Sequence, residues 1–434
     1  MSLNQDFAPP GCPVLQHPGP IGLNGPVFAL HSSEYARDPH AVYAEMRRYD
    51  PDFARVELAP GVPATLVIGW EWAVRILYDA ERFRADPGGW VDTVSGSCPV
   101  RPMMEPRRNA LRTDGFDHGR YRRATKAALG VVDLHRLHEV VAGHARELVE
   151  AVAERGRMDV VADYAGPLAL STINSMMGCP PELGVELARG LAAMFDAEAD
   201  PRRVNGVLDG SLGALIDLRR AEPGDDVPTA LMRHAPDMGR RELREQLLTM
   251  YAAALEPLQH LVVNTVLLLL TDRRFGDALV SHSCTAEEAL HEVLFRDSPL
   301  ANLCVRYPVQ PIPIDGLIAP GGRAGPVHGI TLPAGQPVLI GMAACNTDPR
   351  ITRAPDASGR IDYSHNTAHL AFAAGPHACP ARDLAIQVAI DAVEELLDRL
   401  PELRLACPVG KLVWRPGPFH RALEALPVAW TPRR

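Results

Sequence analysis

Residues 372–385, FAAGPHACPARDLA, place a lone cysteine directly before the amphipathic segment 381–400. Pro380 suits the first position of a helix, where its missing N–H costs nothing, and Asp383 falls in the first turn, as the helix dipole favours. Oriented N–H groups at a helix start lower the pKa of a thiol, so this position favours a Cys379 thiolate. From these residues alone, Cys379 is a core thiol, half of a redox pair or a ligand, and an inert buried cysteine is the default.

Composition narrows these alternatives. The chain of 434 residues contains eight cysteines, scattered without a CxxC pair or zinc-like spacing, and this pattern favours reduced thiols. The net charge of -9 argues against a general nucleic-acid binder. The N-terminus lacks the order of a signal peptide, and the apolar run LVVNTVLLLL (261–270) is too short to span a bilayer. We therefore expect a cytoplasmic protein that binds neither nucleic acid nor membrane.

Apolar periodicity predicts one helix-rich α+β domain over residues 1–434. Between about 118 and 300, apolar residues recur at helical spacing, and successive segments end at Gly or Pro-Gly. Residues 305–345 and the C-terminal stretch contain short strand patterns broken by turns. The helix predicted after Cys379 has an apolar face, formed by Leu384, Val388, Val393, Leu396 and Leu400.

The stretch around Cys379 resembles the haem-binding loop of the cytochrome P450 family, whose pattern is F-x-x-G-x-H/R-x-C-x-G followed by a helix. Ala381 stands where that pattern has its last glycine. The resemblance covers nearly the whole chain: DHGRYRRATKAAL (117–129) is similar to the C-helix segment H-x-R-x-R-R, and LVWRPG…LEALPVAW closes the chain in the family's manner. It implies the cytochrome P450 fold, mainly α with a smaller β region, with haem b between the long central helix and the cysteine loop.

The resemblance also implies which residues bind the haem. In this family the cysteine thiolate is the iron ligand and supplies electron density for O–O cleavage, a role that falls on Cys379. His118 and Arg122 are four residues apart, so they share a helical face and would hold a propionate. The implied haem-binding residues are His118, Arg122, Arg306, Phe372, Gly375, His377 and Cys379.

The implied activity is that of a bacterial monooxygenase of the class that takes electrons from a ferredoxin and its reductase. Its substrate would be a hydrophobic small molecule, with secondary metabolism as the setting. The region from Arg101 to Lys126 is rich in basic residues. Within it, the resemblance gives Arg107, Arg108 and Arg112 the role of docking an acidic ferredoxin.

The central helix departs from the family at the positions that handle protons. The family's A/G-G-x-D/E-T segment appears as AALEP, 253–257, so Glu256 takes the acid position and Pro257 replaces the threonine. A proline has no side-chain donor and removes a backbone hydrogen bond one turn back, which predicts a kink. Either the proline is a benign kink, or the proton relay lacks a member and Glu256, His260 or a substrate hydroxyl substitutes.

The K-helix departs as well. Glu292 holds the acid position of the family's E-x-x-R motif, but Phe295 stands in place of the arginine. Arg296 lies at i+4, where a helical ion pair is still possible. Because a buried carboxylate needs a partner, we expect Glu292 to pair with Arg360, Arg296 or both. Near the sulfur, Pro380 removes an N–H, which predicts a more electron-rich thiolate.

These departures leave two alternatives open beside the monooxygenase. One is a haem-binding protein without monooxygenase activity, which senses a ligand or regulates a partner. The other is a peroxide-driven haem enzyme, which needs no threonine. Pro257 and Phe295 favour the haem-binding protein, whereas the cysteine loop favours the monooxygenase.

Overall fold

A computed structural model describes residues 19–193, 201–272, 274–275, 285–317, 329–352, 363, 366–400 and 402–432. Its helices are α1 Ser33–Arg37, α2 Pro39–Met46, α3 Trp70–Tyr78, α4 Arg101–Met104, α5 Gly115–Leu129, α6 Leu134–Val152, α7 Gly166–Met176, α8 Pro181–Ala193, α9 Pro201–Ala221, α10 Val227–His234, α11 Arg240–Thr271, α12 Ala286–Arg296, α13 Met342–Asn346 and α14 Arg382–Arg399. Its strands are β1 Val27–Ala29, β2 Phe53–Glu57, β3 Pro63–Val67, β4 Phe83–Arg84, β5 Arg157–Asp159, β6 Asn302–Pro308, β7 Ile312–Pro313, β8 Thr331–Leu332, β9 Val338–Gly341, β10 Arg404–Leu405 and β11 Pro427–Ala429.

The chain packs into two compact units. The first consists of Met1–Pro106, Asn302–Gly341 and Pro416–Pro418, and the second of Arg107–Ala301, Met342–Arg415 and Phe419–Arg434. The expectation of a single domain over residues 1–434 stays a prediction.

The first unit is built on a sheet. Its strand order is β1-β2-β3-β9-β6-β4, with β2 and β3 antiparallel and β3 and β9 parallel. The inner face buries the ring of Phe53 against Trp72 of α3, with their centroids 5.6 Å apart. The strands that the sequence predicts between 305 and 345 are therefore confirmed as β6 to β9 wherever the structure describes them.

The second unit is helical and is organised around α11, which spans 32 residues. One core cluster joins the buried faces of α6, α11, α12 and α14. Asp133 caps α6, and Thr285 and Glu288 form a capping box at α12, so polar side chains satisfy the free N–H groups at these helix starts. A small sheet of order β10-β11-β5 completes the unit and confirms the strand pattern at the C-terminus.

The predicted start of the helix after the cysteine needs correction. The helix after the cysteine begins at Arg382, with Ala381 as its N-cap, so Pro380 lies in the preceding turn and not at the first helical position. The helix α11 runs through Pro257 without a break, and the kink expected at this proline stays a prediction. By length and apolar composition α11 is also long enough to cross a membrane, although half of its most apolar window is buried inside the structure.

Candidate active site

The loop before α14 holds Cys379 by backbone hydrogen bonds. The Cys379 N–H donates to the carbonyl of Phe372 at 2.8 Å, which closes the loop at its base. Gly375 has φ of +71°, a left-handed conformation that favours glycine, so its place in the motif has a backbone reason. Ala373 has φ of +58°, which strains an L-residue. The loop is thus a constrained turn that leaves Cys379 half-buried at the start of α14.

The expectation of a lowered thiol pKa is wrong in the structure. Burial raises the pKa of the Cys379 thiol, and this effect outweighs the opposing hydrogen bond from the Ala381 backbone and the charge of Arg122. The turn at Pro380 brings the Ala381 N–H to the sulfur, so the proline leaves this donor in place. Ala381 has φ of -112°, which any residue adopts, so alanine costs nothing where the family pattern has glycine.

Arg122 is the residue that most directly fits a bound haem. It lies on α5, is half-buried, and burial lowers the pKa of its guanidinium while the neighbouring Cys379 thiol raises it. Among the described residues, that guanidinium has no ion-pair or hydrogen-bond partner. Because a partly buried cation normally pairs with an anion, Arg122 beside Cys379 provides the charge that a haem propionate requires.

His118 and His377 also lie together in this region. Their rings pack with centroids 4.0 Å apart, and His118 belongs to the same helix as Arg122. The Nδ1 atom of His377 lies 3.2 Å from the carbonyl oxygen of Ala110, and its Nε2 atom lies 3.6 Å from Asp114. The motif histidine therefore ties the cysteine loop to the chain before α5, and its role at a propionate stays a prediction.

Arg306 is described within the first unit. It lies on β6, is 3% exposed, and donates from Nη1 to the carbonyl oxygen of Val305 at 3.0 Å. Its predicted role as a second propionate-binding arginine stays a prediction.

Of Arg107, Arg108 and Arg112, the residues expected to dock a ferredoxin, only Arg108 is exposed, and its docking role stays a prediction. Arg112 is buried, and Arg107 forms an ion pair with Glu245 of α11 at 3.4 Å. Both side chains are therefore held within the fold and are not presented to a partner. The other exposed basic side chains nearby are Arg123 and Lys126, both on α5.

Glu256 lies on α11 directly before Pro257 and is bound by an arginine from another part of the chain. Arg415 donates from Nη2 to its Oε1 atom at 2.7 Å. Burial tends to raise the pKa of Glu256, but the charge and hydrogen bond of Arg415 outweigh it and hold that pKa below its usual value. Glu256 is therefore an ionised carboxylate beside the position where the family has its alcohol.

Glu292 has several partners. It is 1% exposed and lies 3.9 Å from Arg296, so the predicted pair is present. A closer pair, missed by the sequence prediction, joins its Oε1 atom to Arg274 Nη2 at 3.3 Å, and the Tyr363 N–H donates to Oε2 at 2.8 Å. Phe295 instead stacks on Tyr363, with ring centroids 4.8 Å apart. Arg360, the other predicted partner, lies outside the described residues.

The partners missed by sequence reasoning come from distant parts of the chain. Arg415 belongs to the quoted LVWRPG stretch, and Arg274 follows the end of α11. No local spacing links either arginine to its carboxylate, since Arg415 and Glu256 are 159 residues apart. Only a family of aligned sequences or the folded chain reveals such pairs.

Comparison with known proteins identifies relatives of this architecture. The chain is 32% identical over 410 residues to the cytochrome P450 monooxygenase PikC of Streptomyces venezuelae, covering 92% of each chain. It is 30% identical to nocardicin C N-oxygenase of Nocardia uniformis subsp. tsuyamanensis, covering 91% of this chain and 96% of the relative. The solved structure of CYP154C4 from Streptomyces sp. W2061 superimposes with a TM-score of 0.81 at 26% identity, covering 93% of this chain and 98% of that chain. No protein-family model matches the chain.

Proposed function

The chain belongs to the cytochrome P450 family, and on that premise we propose that it is a haem-thiolate monooxygenase acting on a hydrophobic small molecule in secondary metabolism. The observation that carries the proposal is that Cys379, at the start of α14, lies beside the guanidinium of Arg122, which has no ion-pair or hydrogen-bond partner in the part of the chain that the structure describes. A half-buried thiol beside a cation suits an iron and a propionate. The relatives named as a monooxygenase and an N-oxygenase support the same class of reaction.

The residues of this chain would hold haem b as follows. Bound haem supplies the activation of molecular oxygen and the transfer of one oxygen atom to substrate. Cys379 would ligate the iron through its sulfur and supply electron density to it, since metal coordination deprotonates a thiol that burial otherwise keeps neutral. Arg122, with His118 on the same helix face, would neutralise a propionate carboxylate. Phe372 and Gly375 would fix the loop that presents the sulfur.

Glu256 would deliver protons at the oxygen-binding side of the haem. Its carboxylate is half-exposed, with a side-chain exposure of 46%, so it exchanges protons with solvent while Arg415 fixes its position. Pro257 leaves this segment of α11 without an alcohol, and it also leaves the carbonyl of Ala253 without its usual helical N–H donor.

Electrons would come from a cytoplasmic ferredoxin and its reductase. The exposed cations Arg108, Arg123 and Lys126 support an acidic partner on this side of the unit. In this proposal Arg123 and Lys126 join Arg108 as docking residues, in place of Arg112, which is buried, and Arg107, which is paired with Glu245.

Reconstituted turnover tests this function. The purified holoprotein is incubated with NADH, a surrogate ferredoxin and its reductase, and a panel of hydrophobic natural products, and oxygenated products are sought by mass spectrometry. We expect a product that gains one oxygen atom and depends on ferredoxin. A product formed with hydrogen peroxide alone would replace the monooxygenase with a peroxide-driven enzyme, and haem binding without any product would favour a ligand-binding protein.

A further inference from the structure

A cluster of titratable side chains surrounds Glu256 and includes residues that the proposed function does not use. His260 is one turn beyond Glu256 on α11, so the two side chains share a face. Arg415 and His420 come from the C-terminal segment of the same unit. Arg415 contacts Glu256 directly at 2.7 Å, and both histidines are close enough for Glu256 and Arg415 to act on their pKa values.

Several buried polar atoms of this cluster have no hydrogen-bond partner within the described ranges of the chain. His260 is 2% exposed, and among the described residues neither of its ring nitrogens has a hydrogen-bond partner. The same holds for Nε2 of His420 and Nε of Arg415. Buried polar atoms are nearly always paired, so several such atoms in one cluster indicate a site that binds a hydroxyl group, which donates and accepts at once.

The electrostatics keep the histidines neutral. Burial lowers the pKa of His260 to about 4, and the charge of Arg415 lowers it further against the opposing effect of Glu256. Burial and the charge of Arg415 also lower the pKa of His420. The groups that act on the His260 ring are thus Glu256 from its own helix and Arg415 and His420 from the C-terminal segment. A neutral imidazole has one donor and one acceptor nitrogen, which is what a proton relay requires.

We propose that His260 is a proton-relay residue that replaces the alcohol missing at Pro257, and that Arg415 is the positioning residue that holds Glu256 beside it. The proposal rests on the proposed monooxygenase function. Glu256 takes a proton from solvent and passes it to one ring nitrogen of His260. In the same event the other ring nitrogen donates its proton to the oxygen of a hydroxyl group bound in the cluster, and that hydroxyl group releases its own proton on the side away from His260. One proton enters and one leaves, so His260 stays neutral and only exchanges its tautomer.

The first measurement reads the cluster without turnover. Histidines labelled with carbon-13 are titrated by NMR in the diamagnetic, reduced carbon monoxide complex of the holoprotein. We expect Arg415→Met to raise the pKa of His260 above its value of about 4 in the parent protein, because the guanidinium charge is removed. An unchanged His260 titration in this variant would overturn the role of Arg415.

The second measurement reads the relay. In the reconstituted system, we expect His260→Gln to lower NADH-driven oxygen uptake at least about tenfold, as is typical when a proton donor is removed, and to reduce the solvent deuterium isotope effect. Adding Pro257→Thr to this variant restores an alcohol, and we expect part of the lost rate to return. His144→Gln is the matched control, since His144 is a half-buried histidine on α6 that bonds Ser175 and lies outside the cluster.

The outcomes separate this inference from the proposed function. If the parent protein shows no thiolate-type carbon monoxide band, the monooxygenase proposal itself fails. If every variant retains that band and His260→Gln keeps oxygen uptake within about twofold of the parent, the relay is wrong while the monooxygenase stands. A loss of uptake in His144→Gln of the same size would also contradict the relay, because the effect would then be general to buried histidines.

Discussion

At the scale of single residues, the substitution of arginine by Phe295 changes how Glu292 is neutralised. In the structure Arg274, from a different segment of the chain, forms an ion pair with Glu292. Phe295 stands where the family has its arginine, and its ring stacks on Tyr363. Burial still raises the pKa of Glu292, against the Tyr363 N–H and Arg274. The carboxylate therefore depends on a partner that lies 18 residues before it in sequence.

This dependence predicts an asymmetry between two arginines. Arg274→Met should lower the free energy of unfolding at pH 7 by about 1–3 kcal/mol, because it leaves a buried carboxylate with weaker compensation. Arg296→Met should cost less than about 1 kcal/mol, since Arg296 is 41% exposed and 3.9 Å from the carboxylate. Urea denaturation of both variants measures the difference. Equal losses, or a larger loss for Arg296→Met, would contradict the assignment.

The sequence was sufficient for residues whose role is local. The cysteine, the glycine that adopts a positive φ and the histidine of the loop lie within a few positions of each other, so their motif encodes the turn itself. It was insufficient where a partner arrives from another segment, as with Arg415 at Glu256. It also misjudged the thiol pKa, because burial depends on packing from many segments and outweighs the local N–H groups.

At the scale of elements, the long helix α11 tolerates a proline near its middle. Pro257 removes the N–H that would bond the carbonyl of Ala253, yet the helix continues for its full 32 residues. Packing on both sides of Pro257 explains this, since Tyr251 and Leu258 are both buried in core clusters. Sequence propensity alone predicts a local defect, whereas tertiary contacts hold the helix together.

Removing this proline should stabilise the helix. We expect Pro257→Ala to raise the free energy of unfolding by about 1–3 kcal/mol, because it restores a hydrogen bond and relieves the ring's contact with the preceding turn. Pro228→Ala is the control, since Pro228 lies in the first turn of α10 where an N–H has no helical acceptor, and its effect should be small. Urea midpoints measure both changes. A destabilised Pro257→Ala protein would show that the surroundings have adapted to the proline.

The start of α14 illustrates the limit of boundary prediction. Pro380 has the chemistry of a first helical residue, but the chain turns at 380–381 before the helix begins. That turn brings the Ala381 N–H to the Cys379 sulfur. The helix therefore begins two residues later than the local pattern around Pro380 predicts.

At the scale of the whole molecule, buried neutral histidines make the fold sensitive to acid. Burial lowers the pKa of His260 to about 4 and that of His369 to about 3. In the unfolded chain both titrate near 6.5, so below that pH the unfolded state binds more protons. The stability that these histidines contribute is present above pH 6.5 and is lost as the pH falls towards their folded pKa values.

The predicted magnitude is measurable. Each of the two histidines should cost about 2 kcal/mol of unfolding free energy between pH 7 and pH 5. Urea denaturation of the parent protein and of His260→Gln at both pH values checks this, and the variant should lose about 2 kcal/mol less than the parent. Identical losses in the two proteins would show that His260 does not titrate as its burial requires.

The fold class was predictable from the chain as a whole, because helical periodicity, strand patterns and the cysteine loop agree in order along the sequence. The relatives confirm the family, with 32% identity to PikC over 92% of the chain. The division into two compact units was not predictable, since the first unit combines three separate segments of the sequence.

The central claim is that the Cys379 sulfur is the ligand of a haem iron. The most direct measurement is the absorption spectrum of the purified protein, reduced with dithionite and exposed to carbon monoxide. We predict the red-shifted thiolate band for which the family is named, its loss in Cys379→Ala and its retention in Cys407→Ala, a half-buried cysteine in the same unit. A protein that purifies without haem, or a thiolate band that survives in Cys379→Ala, would contradict the claim.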